Sequence, residues 1–226
     1  MTKLNIDNLN LLDKLSSFLG HGDINSDLWI ICTEESGKYT SKNEIDNRIK
    51  QYEGFKEINV GERQYFISDF IEDNGGSDCG TYRRLRYLLS KIDVNYDLGK
   101  IGNFYINMFP VADAIKRLVV WTDYAPWLEI SRREYLKYCK EVRVNEIRNI
   151  INFYNPQIVL MLNKYSYIYT KDHTQLQKSN SNSYSTIFLP NIITAYHPMQ
   201  RRISVDDWSL DITTNMKRII NHWKGV

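Results

Sequence analysis

Glu34, Asn107 and His197 supply a carboxylate, a carboxamide and an imidazole, and each follows a short hydrophobic segment. The segment Leu28–Cys32 leads into Thr33-Glu34-Glu35-Ser36-Gly37, and Phe104–Ile106 leads into Asn107-Met108-Phe109-Pro110. Ile158–Leu162 leads into Asn163-Lys164, and Ile192–Ala195 into Tyr196-His197-Pro198-Met199. A carboxylate can hold a water or face a cation, an imidazole can pass a proton, and a carboxamide offers a donor beside an acceptor. Groups this far apart in sequence act together only if their segments are neighbouring strands. In an open parallel sheet the carboxyl ends of the strands line one crevice, where ligands bind. The pattern therefore predicts that the three groups converge on one site.

The elements that must hold such a crevice can be traced along the chain. From Ile6 to Leu19, apolar residues at Leu9, Leu11, Leu12, Leu15, Phe18 and Leu19 have helical spacing, and Gly20 closes the segment. Leu28-Trp29-Ile30-Ile31-Cys32 is a continuous apolar run that suits a strand covered on both faces. Tyr39 to Gly61 is a polar excursion with a short helix near Asn43–Tyr52, and Asn74-Gly75-Gly76-Ser77-Asp78 is a loop. Arg83–Leu89 reads as a helix with Leu85, Leu88 and Leu89 inward. Ser131 caps a long helix reaching Tyr154, with Leu136, Cys139, Ile147, Ile150, Ile151 and Tyr154 on one stripe, and Asn155-Pro156 stops it. After a serine-rich loop at Ser179–Ser185 comes a further strand at Ile187–Leu189. A final amphipathic helix from Asp207 aligns Trp208, Ile212, Met216, Ile219 and Trp223. Strands alternating with helices predict an α/β fold: one doubly wound domain over 1–226, with a central, mainly parallel four-stranded sheet flanked by helices.

Composition narrows the class. With 226 residues, 42% of them hydrophobic and 25% charged, the chain can bury a full core without disulfide or metal staples. No apolar run approaches the roughly 20 residues that span a bilayer, which predicts no membrane partner. The N-terminus lacks the charged-then-apolar pattern of a signal peptide, and the three cysteines form no CxxC pair. A reducing cytoplasm is the expected compartment. A net charge of +2 does not announce a nucleic-acid partner, but the basic residues are clustered. Arg83-Arg84-x-Arg86, Arg132-Arg133, Lys137, Lys140, Arg143 and Arg201-Arg202 could each meet phosphates or simply be solvated helix faces. Only Arg201-Arg202 lies beside the candidate site.

The order of these motifs resembles the uracil-DNA glycosylase superfamily. In that family a first strand ends in a short acidic motif, and Thr33-Glu34-Glu35-Ser36-Gly37 takes that slot, with Glu34 over the acid. A later strand ends in asparagine followed shortly by proline, matched by Asn107-Met108-Phe109-Pro110. A helix and an Asn/Lys-Pro-x-Ile-Val strand match Asn155-Pro156-Gln157-Ile158-Val159, and a closing His-Pro motif matches His197-Pro198-Met199. Three departures stand out. Thr33 replaces the first glycine of the acidic motif, Ser36 replaces its proline, and Met199 stands where a small polar residue is usual. Three scattered cysteines cannot hold the iron–sulfur cluster of one branch.

The resemblance implies hydrolysis of the bond between a flipped-out base and deoxyribose in DNA, single- or double-stranded, without metal or cofactor. Glu34 would hold the water and stabilise the sugar cation, with Glu35 its rival in the alignment. His197 would meet the charge on the departing base, and Asn107 would read the base's hydrogen-bonding edge. Phe66 is the first choice for an aromatic floor beneath the base, with Phe70 and Phe109 as competitors. Met199, Gln200 or Arg201 would fill the gap left in the duplex, while Arg201, Arg202 and Lys164 contact DNA. The altered first motif points to a modified pyrimidine, such as phage DNA carries, and hence to antiviral defence by a monomeric enzyme. Two other classes fit the same residues: a catalytically silent DNA- or protein-binding module of this fold, and a small-molecule hydrolase on an unrelated sheet.

Overall fold

Leu28, Trp29, Ile30, Ile31 and Cys32 are all almost completely shielded from water, which a single strand achieves only between two neighbours and beneath two layers. The computed structural model supplies both. It describes residues 6–16, 20–22, 24–34, 43–47, 49–50, 84–85, 87–88, 90–91, 103–109, 126–162, 185–189, 191–196 and 203–224. The elements are α1 (Ile6–Ser16), β1 (His21–Gly22), β2 (Leu28–Glu34), β3 (Asn103–Phe109), α2 (Arg132–Glu141) and α3 (Arg143–Tyr154). They continue with β4 (Ile158–Leu162), β5 (Ser185–Leu189), β6 (Ile192–Ala195) and α4 (Val205–Lys224). Residues 43–47, 49–50, 84–85, 87–88 and 90 are also helical.

The sheet runs in the order β1-β3-β2-β4-β6-β5. Its inner strands β3, β2, β4 and β6 are parallel, and β1 and β5 pair antiparallel at the edges. Alternate side chains of a strand face opposite ways, and the core divides accordingly. Trp29, Ile31, Val159, Met161 and Ile192 pack with Leu12 and Leu15 of α1, Tyr135 and Cys139 of α2, and Val144, Ile147 and Ile151 of α3. Leu28, Ile30, Cys32, Leu160, Leu162, Ile193 and Ala195 pack with Leu85, Leu88 and the Trp208, Ile212, Met216 and Ile219 stripe of α4. Helices thus cover both faces of an α/β sheet. Each fully buried aliphatic side chain contributes about 1.5–3 kcal/mol.

The sheet has six strands where four were expected, because β1 and β5 add antiparallel edges to the four parallel strands, and several boundaries differ from the sequence reading. β2 continues through Thr33 to Glu34, and β3 through Asn107 to Phe109, because Glu34 pairs in register with Phe109. The backbone ladder continues past the point where side-chain hydropathy stops. The long helix is in fact two. Ser131 begins α2 with a capping box, its hydroxyl accepting from the Glu134 N–H and the Glu134 carboxylate accepting from the Ser131 N–H. Those bonds from Ser131 hold the Glu134 carboxyl below its ordinary pKa. The break falls at Val142, where the Asn145 side-chain amide donates to the Glu141 carbonyl at 2.7 Å. A side chain that enters the backbone ladder bends a helix. Asn155 then closes α3 in the left-handed conformation, φ 47°, ahead of Pro156.

The bend turns Arg143 inward. Its side chain is 2% exposed and donates to the Ser16 carbonyl at 2.6 Å and to Glu146 Oε2 at 3.0 Å. Arg143 is therefore no candidate for meeting phosphate. It satisfies a carbonyl in the last turn of α1, where a cation also complements the helix dipole. Beside it, the Tyr138 hydroxyl donates to Asp13 of α1. Arg143→Met keeps the apolar stem and removes these bonds. It should lower unfolding stability by about 2–3 kcal/mol, read as a drop in melting temperature of roughly 4–12 °C.

Cys32 and Cys139 are buried free thiols. Burial pushes the Cys139 thiol from an ordinary 9.0 up to about 12 and also raises the Tyr138 phenol, which the Asp13 hydrogen bond raises further. In a Cys79→Ser variant, neither remaining thiol should react with a disulfide reagent until denaturant is added. Folded protein keeps protons on Cys139 and Tyr138 that the unfolded chain releases at lower pH. Stability should therefore fall as pH rises from 9 toward 12, a slope that Cys139→Ala reduces in denaturation midpoints taken across that range.

Candidate active site

Strand register decides what the carboxyl edge of the sheet brings together. Cys32 pairs with Asn107 on one side and with Leu162 on the other. Leu162 pairs in turn with Ala195. Asn107, Cys32, Leu162 and Ala195 therefore form one row across four parallel strands. Glu34 lies two residues beyond Cys32, opposite Phe109, and so about 6.6 Å further along the strand direction. Only β4 separates β2 from β6, which puts Cys32 and Ala195 about 10 Å apart across the sheet.

Strand order also locates a crevice. From β2 the chain passes to β3 on one side, then returns to β4 on the other side of β2. The reversal makes the carboxyl ends of β2 and β4 a topological switch point, where open α/β sheets bind ligands. Glu34 is the last residue of β2, and Asn107 lies on the adjacent β3, two residues before its end. A carboxylate-bearing and a carboxamide-bearing residue thus reach the same edge. Ala195 ends β6 in the same row, with Tyr196 next in sequence and His197 after it. His197, Glu35, Phe66, Phe70, Lys164, Met199, Arg201 and Arg202 lie outside the described residues.

The flank of this edge is built by α4. Ser204 caps the helix, accepting from the Asp207 N–H at 3.1 Å, and Trp208 sits one turn further on. Trp208 is 1% exposed, and its indole N–H donates to the Tyr196 carbonyl at 2.9 Å. Tyr196 itself is 43% exposed. On the neighbouring strand Ser185 pairs with Ala195. The Ser185 N–H and hydroxyl both donate to Asp211 Oδ2, at 2.5 and 2.9 Å, and the Asn215 amide donates to the Ser185 hydroxyl at 2.9 Å. The Tyr87 hydroxyl donates to Asp206 in the first turn of α4, and the Lys91 ammonium lies 4.7 Å from the Tyr87 ring centre.

The sequence reading took Trp208 only as part of an apolar stripe and passed over Asp211 and Ser185. Two signals were present. A buried indole N–H usually needs a partner, and Asp211 is an acid set directly before Ile212 of that stripe. Ser185, read as the end of a flexible loop, is instead buried as the first residue of β5. Among the described residues there is no group of three or more His, Cys, Asp or Glu placed to hold a metal ion. No described helix is long and apolar enough to cross a membrane. No protein-family model matches this chain, and no curated protein matches it significantly.

Proposed function

We propose that this chain is a DNA glycosylase, a divergent member of the uracil-DNA glycosylase superfamily that removes a modified pyrimidine and leaves an abasic site. The observation that carries the reading is the register at the switch point. Glu34 and Asn107 share the edge of adjacent strands, and β6 ends in the same row two residues before His197. The order of motifs along the chain is the second support.

The reaction breaks the C1′–N bond through a sugar with oxocarbenium character, as in glycoside hydrolysis. The bonding electrons leave with the base, and His197 meets that charge by donating an N–H. Glu34 holds the water that adds to C1′ and opposes the positive charge on the sugar. The water's proton is released as the bond to C1′ forms, and the departing base is finally protonated. Asn107 reads the base by pairing one donor and one acceptor with its edge. No step needs a metal or a nucleotide cofactor. Thr33, Ser36 and Met199 depart from the family pattern around the base, and a long connection, residues 35–102, joins β2 to β3. Both features favour a base bulkier than uracil, such as the modified pyrimidines of phage DNA, which makes antiviral defence the biological setting. The enzyme acts as a single domain and a monomer in the cytoplasm.

The test is a gel assay for abasic sites on DNA containing uracil, hydroxymethylcytosine or glucosylated hydroxymethylcytosine. Cleavage of at least one of these after alkali supports the reading. His197→Ala and Glu34→Ala should each lower kcat on that base by about 10²–10³ without changing the melting temperature by more than a few degrees. DNA that is bound but never cut, with both variants retaining wild-type function in cells, would instead make the protein a binding module. Affinity should also fall steeply with salt, and Arg201→Ala or Arg202→Ala should each reduce that slope by about one. Turnover indifferent to salt would point to a small-molecule substrate.

A further inference from the structure

The polar contacts of α4 are unusual for their position. Trp208, Asp211 and Asn215 recur at helical spacing along the side of α4 that meets the sheet, where Ile212, Met216 and Ile219 need only pack. A leucine at any of the three would bury apolar surface without having to satisfy a polar group. Instead all three bond to the carboxyl edge of the β5–β6 pair, through Tyr196 and Ser185. Hydrogen bonds made away from water fix direction, whereas apolar contacts fix only separation.

We infer that Trp208 and Asp211 are positioning residues, which set the direction in which the chain leaves β6 toward His197. The inference rests on the glycosylase reading for its effect on rate, but not for its effect on the chain. β6 ends at Ala195, and the next carbonyl, that of Tyr196, receives the indole N–H of Trp208. A peptide unit is planar, so holding that oxygen also orients the amide nitrogen of His197. Pro198 comes next in sequence, and proline disfavours the helical region for the residue before it. Asp211 acts one strand over. By binding both the N–H and the hydroxyl of Ser185, it ties the residue paired with Ala195 to α4, so the strand beside the end of β6 is anchored to the same helix.

Trp208→Phe tests this, because it keeps a large buried ring and removes the N–H. Ile212→Val on the same helix is the control for packing alone. Two readouts are taken: amide hydrogen exchange in a peptide spanning 195–202 compared with one spanning 158–162, and kcat and KM on whichever modified DNA the wild type cuts. Trp208→Phe should speed exchange in 195–202 by about tenfold or more and leave 158–162 unchanged. It should lower kcat by roughly 10- to 100-fold, the scale of a small misplacement of a catalytic group, with KM within about twofold. Ile212→Val should do neither.

The positioning role is overturned if Trp208→Phe exchanges like the wild type, if Ile212→Val loosens the same peptide equally, or if exchange rises while kcat holds. If the wild type cuts no DNA but Trp208→Phe still loosens 195–202, the glycosylase reading fails and the positioning of the chain stands. The indole N–H of Trp208 in the wild-type protein provides a measurement that needs no variant to fold. It should be strongly protected from exchange, and free exchange would remove the basis of the proposal.

Discussion

Burial of the inner strands on both faces is the constraint from which the rest of the molecule follows. β2, β4 and β6 are shielded along nearly their whole described length, so a charged side chain within them would be desolvated with nothing to offset the cost. Polar chemistry is thereby driven off the faces of the sheet and onto its ends. At the carboxyl end, Asn107, Cys32, Leu162 and Ala195 lie in one row, and strand order reverses at β2 and β4.

The two helical layers are secured by different means. On the face of α1, α2 and α3, one buried cation closes the end of a helix: Arg143 reaches the Ser16 carbonyl because the chain bends at Val142. That break, where the Asn145 amide bonds to the Glu141 carbonyl, turns one long amphipathic segment into two helices. On the face of α4, polar side chains of the helix bond instead to the strands beneath. The first arrangement ties helix to helix. The second ties helix to sheet at the carboxyl edge of β6, and so bears on the candidate site.

Much of this architecture could be read from residue patterns. Continuous apolar runs marked the four inner strands, because a strand buried on both faces needs an apolar residue at every position. Helical spacing marked α1, α4 and the stretch that became α2 and α3. Caps were legible at Ser131 and Asn155, since each answers a local need of the backbone. Glu34 and Asn107 were legible as residues at strand ends. The boundaries were harder. Thr33, Glu34, Met108 and Phe109 belong to strands because each backbone finds a partner across the ladder, and pairing is a property of two distant segments together.

Hydropathy and local sterics act within a few residues, which is why the amino-acid order alone was enough for the kind of the longer elements and for the layered α/β plan, though not for the two-residue edge strand β1. Adjacency is different. That Cys32 stands between Asn107 and Leu162, that Arg143 turns inward while Arg133 and Lys137 are exposed, and that Trp208 and Asp211 hold the residues flanking the end of β6 all depend on contacts between parts of the chain far apart in sequence. No periodicity encodes such contacts, because their energy exists only once the layers have packed.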